Sequence, residues 1–164
     1  MTSAAQVLAI LEHAPALIVP MVREADPSIL KRRPAPGVWS IHEHACHFAA
    51  VHPIMAQRLE LMLAEEDPVI VSYDPERDEP AGALLRADLD AALRRFEQDR
   101  RELVARLQTL TPEQWQRTGR HEEYRSYSVF TMFRHLALHD LSHAYQIEDL
   151  LLRRDWPESA TVAP

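Results

Sequence analysis

Four stretches of the chain carry apolar residues at helical spacing. In the first, from about Ala4 to Arg23, Leu8, Leu11, Pro15, Ile18 and Val22 recur at steps of 3, 4, 3 and 4, the pattern of one buried helix face. Ser3 with Gln6 resembles a capping box in front of it. Pro15 and Pro20 lack the N–H that would bond the carbonyls of Leu11 and Ala16. The apolar register continues across Pro15, so the spacing predicts a kinked helix, with two short helices meeting near Ala14 as the alternative. Pro20 is expected to bend or end the last turn. Residues 24–39, punctuated by Pro27, Pro34 and Pro36, read as a linker.

Ser40 reads as an N-cap, with Glu43 completing the box. A second helix runs from there to about Glu65 on the stripe His44, Phe48, Val51, Met55, Leu59 and Met62, with Pro53 bending it. Residues 66–80 are acidic and proline-punctuated, an extended crossover. The third helix is predicted over about Ala81 to Gln108, with Leu85, Leu89, Leu93, Phe96, Leu103 and Leu107 inward. Thr111-Pro112-Glu113-Gln114 opens a short turn around Trp115, and residues 117–127 read as a polar loop. The fourth helix runs from about Val129 to Arg153 and stops before Trp156-Pro157. Its stripe is Met132, Leu136, His139, His143, Ile147 and Leu150.

Composition supports one helical domain. The chain has 164 residues, 46% of them apolar, enough for a core; only three are glycine, and the abundance of Ala, Leu, Glu, Arg and Gln favours helices over strands. Net charge is −7, and no basic block exceeds Lys31-Arg32-Arg33, which argues against a nucleic-acid partner. The one cysteine, Cys46, cannot form an internal disulfide and fits a reducing cytoplasm. Met1-Thr2-Ser3-Ala4-Ala5-Gln6 lacks the charged start and apolar run of a signal peptide. The longest uninterrupted apolar run is too short to span a bilayer. A cytoplasmic protein without membrane attachment is therefore expected.

The histidines change the picture. His139 and His143 lie four apart on one helix face, about 6 Å apart at Cβ, and both fall on the core-facing line. A buried imidazole needs partners for its N–H and its lone pair. One divalent ion between the two rings is one solution; a polar stripe without an ion is the other. His135 and His139 share the same spacing, but His135 falls to one side of the line. Asp140 reads as a solvated helix charge or as an acceptor that orients an imidazole. Upstream, His42 is expected exposed on the first turn, His44 on the stripe and His47 beside it. Glu43 shares a face with His47. His13, His52 and His121 read as surface or boundary residues. Cys46 points about 100° from His47 and reads as a small buried residue.

Two segments carry a resemblance. Trp39-Ser40-Ile41-His42-Glu43-His44-Ala45-Cys46-His47-Phe48 resembles the W-S-x-x-E-x-x-x-H-L opening of the second helix in DinB/YfiT-like proteins. Phe133 to Ile147 resembles the last-helix pattern H-x-x-x-H-x-x-x-H-x-x-Q-I of the same family. The resemblance spans nearly the whole chain. It implies an all-α four-helix bundle of up-down-down-up topology. It also implies a divalent metal (Zn, Ni, Fe or Mn) held by His47, His139 and His143. An acidic residue often follows the helix-two histidine by three in that family; here Ala50 stands there. His44 and His52 are additional.

The family contains thiol-dependent S-transferases and isomerases using bacillithiol, mycothiol or glutathione, and proteins described as metal-dependent hydrolases. The resemblance therefore implies a thiol-dependent S-transferase acting on small electrophiles, with a low-molecular-weight thiol as co-substrate. A metal-dependent hydrolase and a non-catalytic metal-binding or stress-response module are the alternatives. Glu43, His44, His135, Asp140, Tyr145 and Gln146 are candidates for the pocket or for orienting the ligands. Arg58 or Arg134 is expected to meet an anionic substrate. A homodimer through helix faces fits either view.

Overall fold

The computed structural model describes residues 3–156; Pro157, the expected stop after the last helix, lies outside them. Helix α1 (Ala4–Glu24) is continuous through Pro15 and Pro20, and the Ser3–Gln6 capping box forms in both directions. The alternative of two short helices is not adopted. Residues 24–39 include one short helix, α2 (Pro27–Leu30), which Asp26 caps. Helix α3 (Ile41–Ala64) starts at the Ser40–Glu43 capping box and continues through Pro53.

The crossover then holds β1 (Val69–Ile70) and the short helices α4 (Pro75–Asp78) and α5 (Ala83–Arg86). The long third helix, α6 (Leu89–Gln108), begins later than the apolar spacing predicts. Ala87 is extended (φ −61, ψ 148) and ends α5. Asp88 then caps a new helix by accepting from Ala91 N at 2.8 Å. A side-chain cap outcompetes helix continuation there because it satisfies an N–H that periodicity alone ignores. Helix α7 (Pro112–Gln116) has the expected Thr111–Gln114 box. Residues 117–127, expected as a polar loop, instead hold β2 (Thr118–His121) and the start of β3 (Tyr127–Ser128). Helix α8 (Val129–Leu152) is capped by Ser128, whose hydroxyl accepts from Thr131 N at 3.1 Å.

The directions of the long helices follow from their contacts. Phe48 meets Phe96 and Glu60 meets Arg106, so α3 and α6 run parallel. His44 meets His143 and His47 meets His139, so α3 and α8 run antiparallel. Val7 and Leu11 pack in one cluster with Leu103, Leu107, Met132 and Leu136. Ile18 and Val22 pack in another with Leu93, Phe96 and Ile147. Hence α1 is parallel to α8 and antiparallel to α6, which is up-down-down-up. Joining the two parallel helices α3 and α6 demands a long return, and residues 65–88 provide it.

These two apolar clusters occupy opposite ends of the bundle. Between them lies a polar layer of His44, His47, His139, Asp140, His143 and Arg100. By length and composition α1 is apolar enough to cross a membrane, with a mean hydropathy of 1.6, contrary to the expectation from uninterrupted runs. In the bundle its apolar face is committed to packing, with Val7, Leu11, Ile18 and Val22 buried.

The small sheet joins the crossover to the segment before α8: β1 pairs parallel with β2, and β2 antiparallel with β3. Gly119 permits this approach. A Cβ there meets Pro68 O at 3.0 Å and Ile70 Cγ1 at 3.3 Å. Arg117 ties the segment to the end of α3 by donating to Met62 O at 2.6 Å. Gly119→Ala is expected to cost ~1–3 kcal/mol through overpacking against backbone, read as a lower urea midpoint with an unchanged slope.

Candidate metal centre

The capped start of α3 fixes the first two turns on which His44 and His47 stand, and α8 brings His139 and His143 to the same level from the opposite direction. The Nε2 atoms of His47 and His139 are 3.0 Å apart, and those of His139 and His143 are 3.1 Å apart. One ring nitrogen from each of the three lies within 4.8 Å of the other two. The Nδ1 atoms point outward. That of His143 lies 2.8 Å from His44 Nδ1, and that of His139 lies 3.5 Å from Asp140 Oδ1. His47 Nδ1 is buried without a hydrogen-bond partner among the described residues.

This arrangement decides where the protons sit. A proton shared between His143 and His44 through Nδ1, and a carboxylate beside His139 Nδ1, both favour Nδ1–H tautomers. The inward Nε2 atoms of His139 and His143 then carry lone pairs. Burial holds three of these rings neutral: it lowers His47 to about 3, His143 to about 2 and His44 to about 4, and neighbouring rings add to each. Lone pairs about 3 Å apart repel unless a proton or a cation lies between them. Tetrahedral Zn–N bonds of about 2.0–2.1 Å place nitrogens ~3.4 Å apart, close to the spacing found. The three residues therefore fit a divalent metal.

Trp39 closes one side. Gly37, at φ +77, turns the chain left-handed just before it. The indole stacks on His143 at 5.8 Å and 11° and meets His47 edge-on at 4.9 Å. Its ring separates two chambers. The outer, about 480 Å³, is lined by His44, His143, Tyr145, Gln146 and Arg153. The inner, about 310 Å³, is lined by His47, His139 and His143 together with Arg58, His135, His121 and Tyr127. All three converging imidazoles line the inner chamber, and only His143 among them lines the outer. The far wall of the inner chamber is aromatic: His121 packs at 4.5 Å on both Tyr124 and Tyr127.

Other candidates stand elsewhere. Glu43 does not reach the imidazoles. Its oxygens are taken by the Arg33 guanidinium, with Nε at 2.9 Å, and by Ser40 N and Oγ at 2.9 and 2.8 Å. Burial opposes its ionisation, but Arg33 and Ser40 outweigh burial and hold the carboxyl below its usual range. His42, expected exposed, is 1% exposed, on the face of α3 that packs against α5. Cys46 is buried beside Ala49 and Ala92, and burial pushes its thiol up to about 11, which removes it as a nucleophile. Arg134 lies over the Phe130 ring on the outside of α8, away from both chambers. Arg58 does line the inner chamber and donates to Val71 O at 2.6 Å. His121, read as a surface residue, lines it too. Tyr145 and Gln146 line the outer chamber and are exposed. His13 is exposed and bonds Ala9 O at 2.7 Å.

Asp140 is not a solvated charge. It is fully buried and paired with Arg100, whose Nη2 donates to Oδ2 at 2.8 Å. The signal for both was in the spacing. Arg100 stands midway in the inward line Leu93, Phe96, Leu103, Leu107 of α6, and Asp140 falls on the line Phe133, Ala137, Ala144, Ile147 of α8. Trp39 carried no such signal, because it precedes its helix.

A model of the DinB superfamily matches residues 10–147. The protein OB0782 of Oceanobacillus iheyensis, whose name places it provisionally among metal-dependent hydrolases, is 27% identical over 146 residues. That match covers 89% of this chain and 84% of the relative. YfiT from Bacillus subtilis, described as a probable metal-dependent hydrolase with an unusual four-helix bundle topology, superposes with a TM-score of 0.84 at 25% identity. That superposition covers 96% of this chain and 92% of YfiT. TT2238, described as a four-helix bundle protein, superposes with a TM-score of 0.65 at 20% identity, over 89% of this chain and 98% of its own, and supports the fold alone.

The lowered imidazole pKa values make metal-free stability depend on pH. Above about 6.5 the rings are neutral folded or unfolded and impose no penalty. As pH falls through 6.5 the unfolded chain takes up protons that the buried rings refuse until about pH 4 for His44 and about pH 3 for His47. The melting temperature of the metal-free protein is therefore expected to hold above pH 7 and to fall steadily from pH 6.5 to 4. Replacing His47 with Gln should flatten that slope in a circular-dichroism melt series.

Proposed function

The chain belongs to the DinB superfamily, and we propose that it is a divalent-metal-dependent hydrolase of small carbonyl substrates, with His47, His139 and His143 as the metal ligands. The observation that carries this reading is the convergence of one ring nitrogen from each of three histidines on one point that opens onto the inner chamber. Three neutral donors leave the full charge of the ion and an open position, the pattern of catalytic rather than structural sites. A bound divalent ion supplies Lewis acidity there, polarising a carbonyl and making water at the open position more acidic. The names of OB0782 and YfiT support the hydrolytic reading.

The chain's own groups do the rest. His44 meets the outward Nδ1 of His143 and orients that ring. Trp39 covers the imidazoles from one side. His135 lines the inner chamber one helical turn before His139, and burial lowers its pKa, with the His139 imidazole and Arg58 adding to the effect. The lowered pKa favours its neutral form, and we assign it the acceptance of a proton from water in that chamber. It stands in for the acidic residue that Ala50 lacks. Arg58 offers a fixed positive charge to a substrate carboxylate or to a developing oxyanion.

One observation favours a second reading. Two chambers meet at His143 across Trp39, as a reaction of two substrates requires. In a thiol-dependent S-transferase the outer chamber takes the low-molecular-weight thiol and the inner one the electrophile. Neither Zn, Ni, Fe nor Mn is favoured by three histidines alone.

Elemental analysis of the purified protein is expected to show about one divalent ion per chain, and none in His139→Ala. An ester and amide panel, run beside a panel of thiols with epoxide and chlorinated acceptors, separates the readings. Chelator-sensitive hydrolysis without thiol supports the first, and turnover that needs thiol replaces it with the second. Tight metal binding with no turnover on either panel leaves a non-catalytic module.

A further inference from the structure

Arg100 and Asp140 form an ion pair in the middle of the bundle, with side chains 2% and 0% exposed. They stand on α6 and α8, which face each other across the diagonal. A buried pair of this kind is a weak source of stability: well-packed apolar residues of similar volume often serve as well or better. Stability alone therefore does not explain why two positions on otherwise apolar lines carry charges.

The free side of Asp140 points to another role. Oδ2 is taken by Arg100 at 2.8 Å, while Oδ1 lies 3.5 Å from His139 Nδ1. Both Oδ1 and that Nδ1 are buried and have no hydrogen-bond partner among the described residues. The opposite nitrogen of the same ring, Nε2, is the central one of the triad, at 3.0 Å from His47 and 3.1 Å from His143. The Arg100 guanidinium lies 5.2 Å from the Phe96 ring centre, while its Nε and Nη1 are buried without a hydrogen-bond partner among the described residues. The carboxylate is thus clamped from one side and presents its remaining oxygen to the imidazole that both other ligands share. A closer approach together with a small rotation of the imidazole makes the hydrogen bond.

We propose that Asp140, anchored by Arg100, is the positioning residue for His139: it accepts the Nδ1 proton, fixes the tautomer that presents Nε2, and strengthens that nitrogen as a metal donor. The inference rests on the metal reading above and deepens it. It assigns the pair a role in the affinity of the site, and places on α6, a helix that carries no ligand, a residue that acts on the metal through two others. Carboxylate partners of this kind commonly contribute about 10–100-fold to metal affinity.

The test removes both charges together, so that neither is left buried alone. Arg100→Met with Asp140→Leu is expected to keep the helical spectrum and a melting temperature near that of the wild type. Its Zn affinity, measured by competition with a chromophoric chelator, is expected to be about 10–100-fold weaker. A folded double variant with wild-type affinity overturns the proposal and leaves the pair purely structural. A second measurement needs no variant to fold. Long-range proton–nitrogen spectra of the metal-free wild type should show His139 protonated at Nδ1 and bare at Nε2; the reverse tautomer overturns the proposal as well. Wild-type protein that binds no Zn would sink the metal reading instead, a result the tautomer measurement does not depend on.

Discussion

Three imidazoles converging in the core of the bundle, with His139 Nε2 about 3 Å from those of His47 and His143, are the constraint around which this structure is arranged. Burial refuses protons to His47 and His143, and the outward partners of His139 and His143 turn their remaining N–H groups away from the centre. Such a cluster is electrostatically unfavourable when empty and favourable around a cation. Helix packing alone produces the juxtaposition, since all the participating side chains belong to elements that would pack without them.

The topology serves that juxtaposition. With α3 and α8 adjacent and antiparallel, one turn of each helix matches one turn of the other, so His44 and His143 share one level and His47 and His139 the next. The cost is a pair of parallel helices, α3 and α6, that no short loop can join. The long crossover that joins them is not idle: its strand β1, with β2 and β3, caps the inner chamber and carries the aromatic wall of Tyr124 and Tyr127. Gly119 sets how closely that cap sits, and Arg117 pins it to the end of α3.

The polar layer divides the core into two apolar clusters, each of which draws on all four long helices. Removing three apolar positions from the middle of a bundle sacrifices packing there, and the ion pair of Arg100 and Asp140 sacrifices more. Both concessions fall at one level, next to the same imidazole. That coincidence is why a function in holding His139 accounts for the pair better than stability does.

The helices, their capping boxes at Ser3, Ser40 and Thr111, and the inward line of His139 and His143 follow from local rules: a period of 3.6, a side chain that accepts an orphan N–H, a register that continues across a proline. Those rules act over a few residues, so the chain by itself determines them. The break at Asp88 was legible in the same terms, because an Asp before an apolar run is a cap, but an uninterrupted period hid it. Arg100 and Asp140 were visible as charges on apolar lines, yet nothing local pairs positions forty residues apart. The β strands are too short to show an alternation. The choice of His47 over His42 and His44, the stacking of Trp39 and the arrival of His121 in the inner chamber were decided only by tertiary packing, since each depends on the distance between segments that the sequence leaves free.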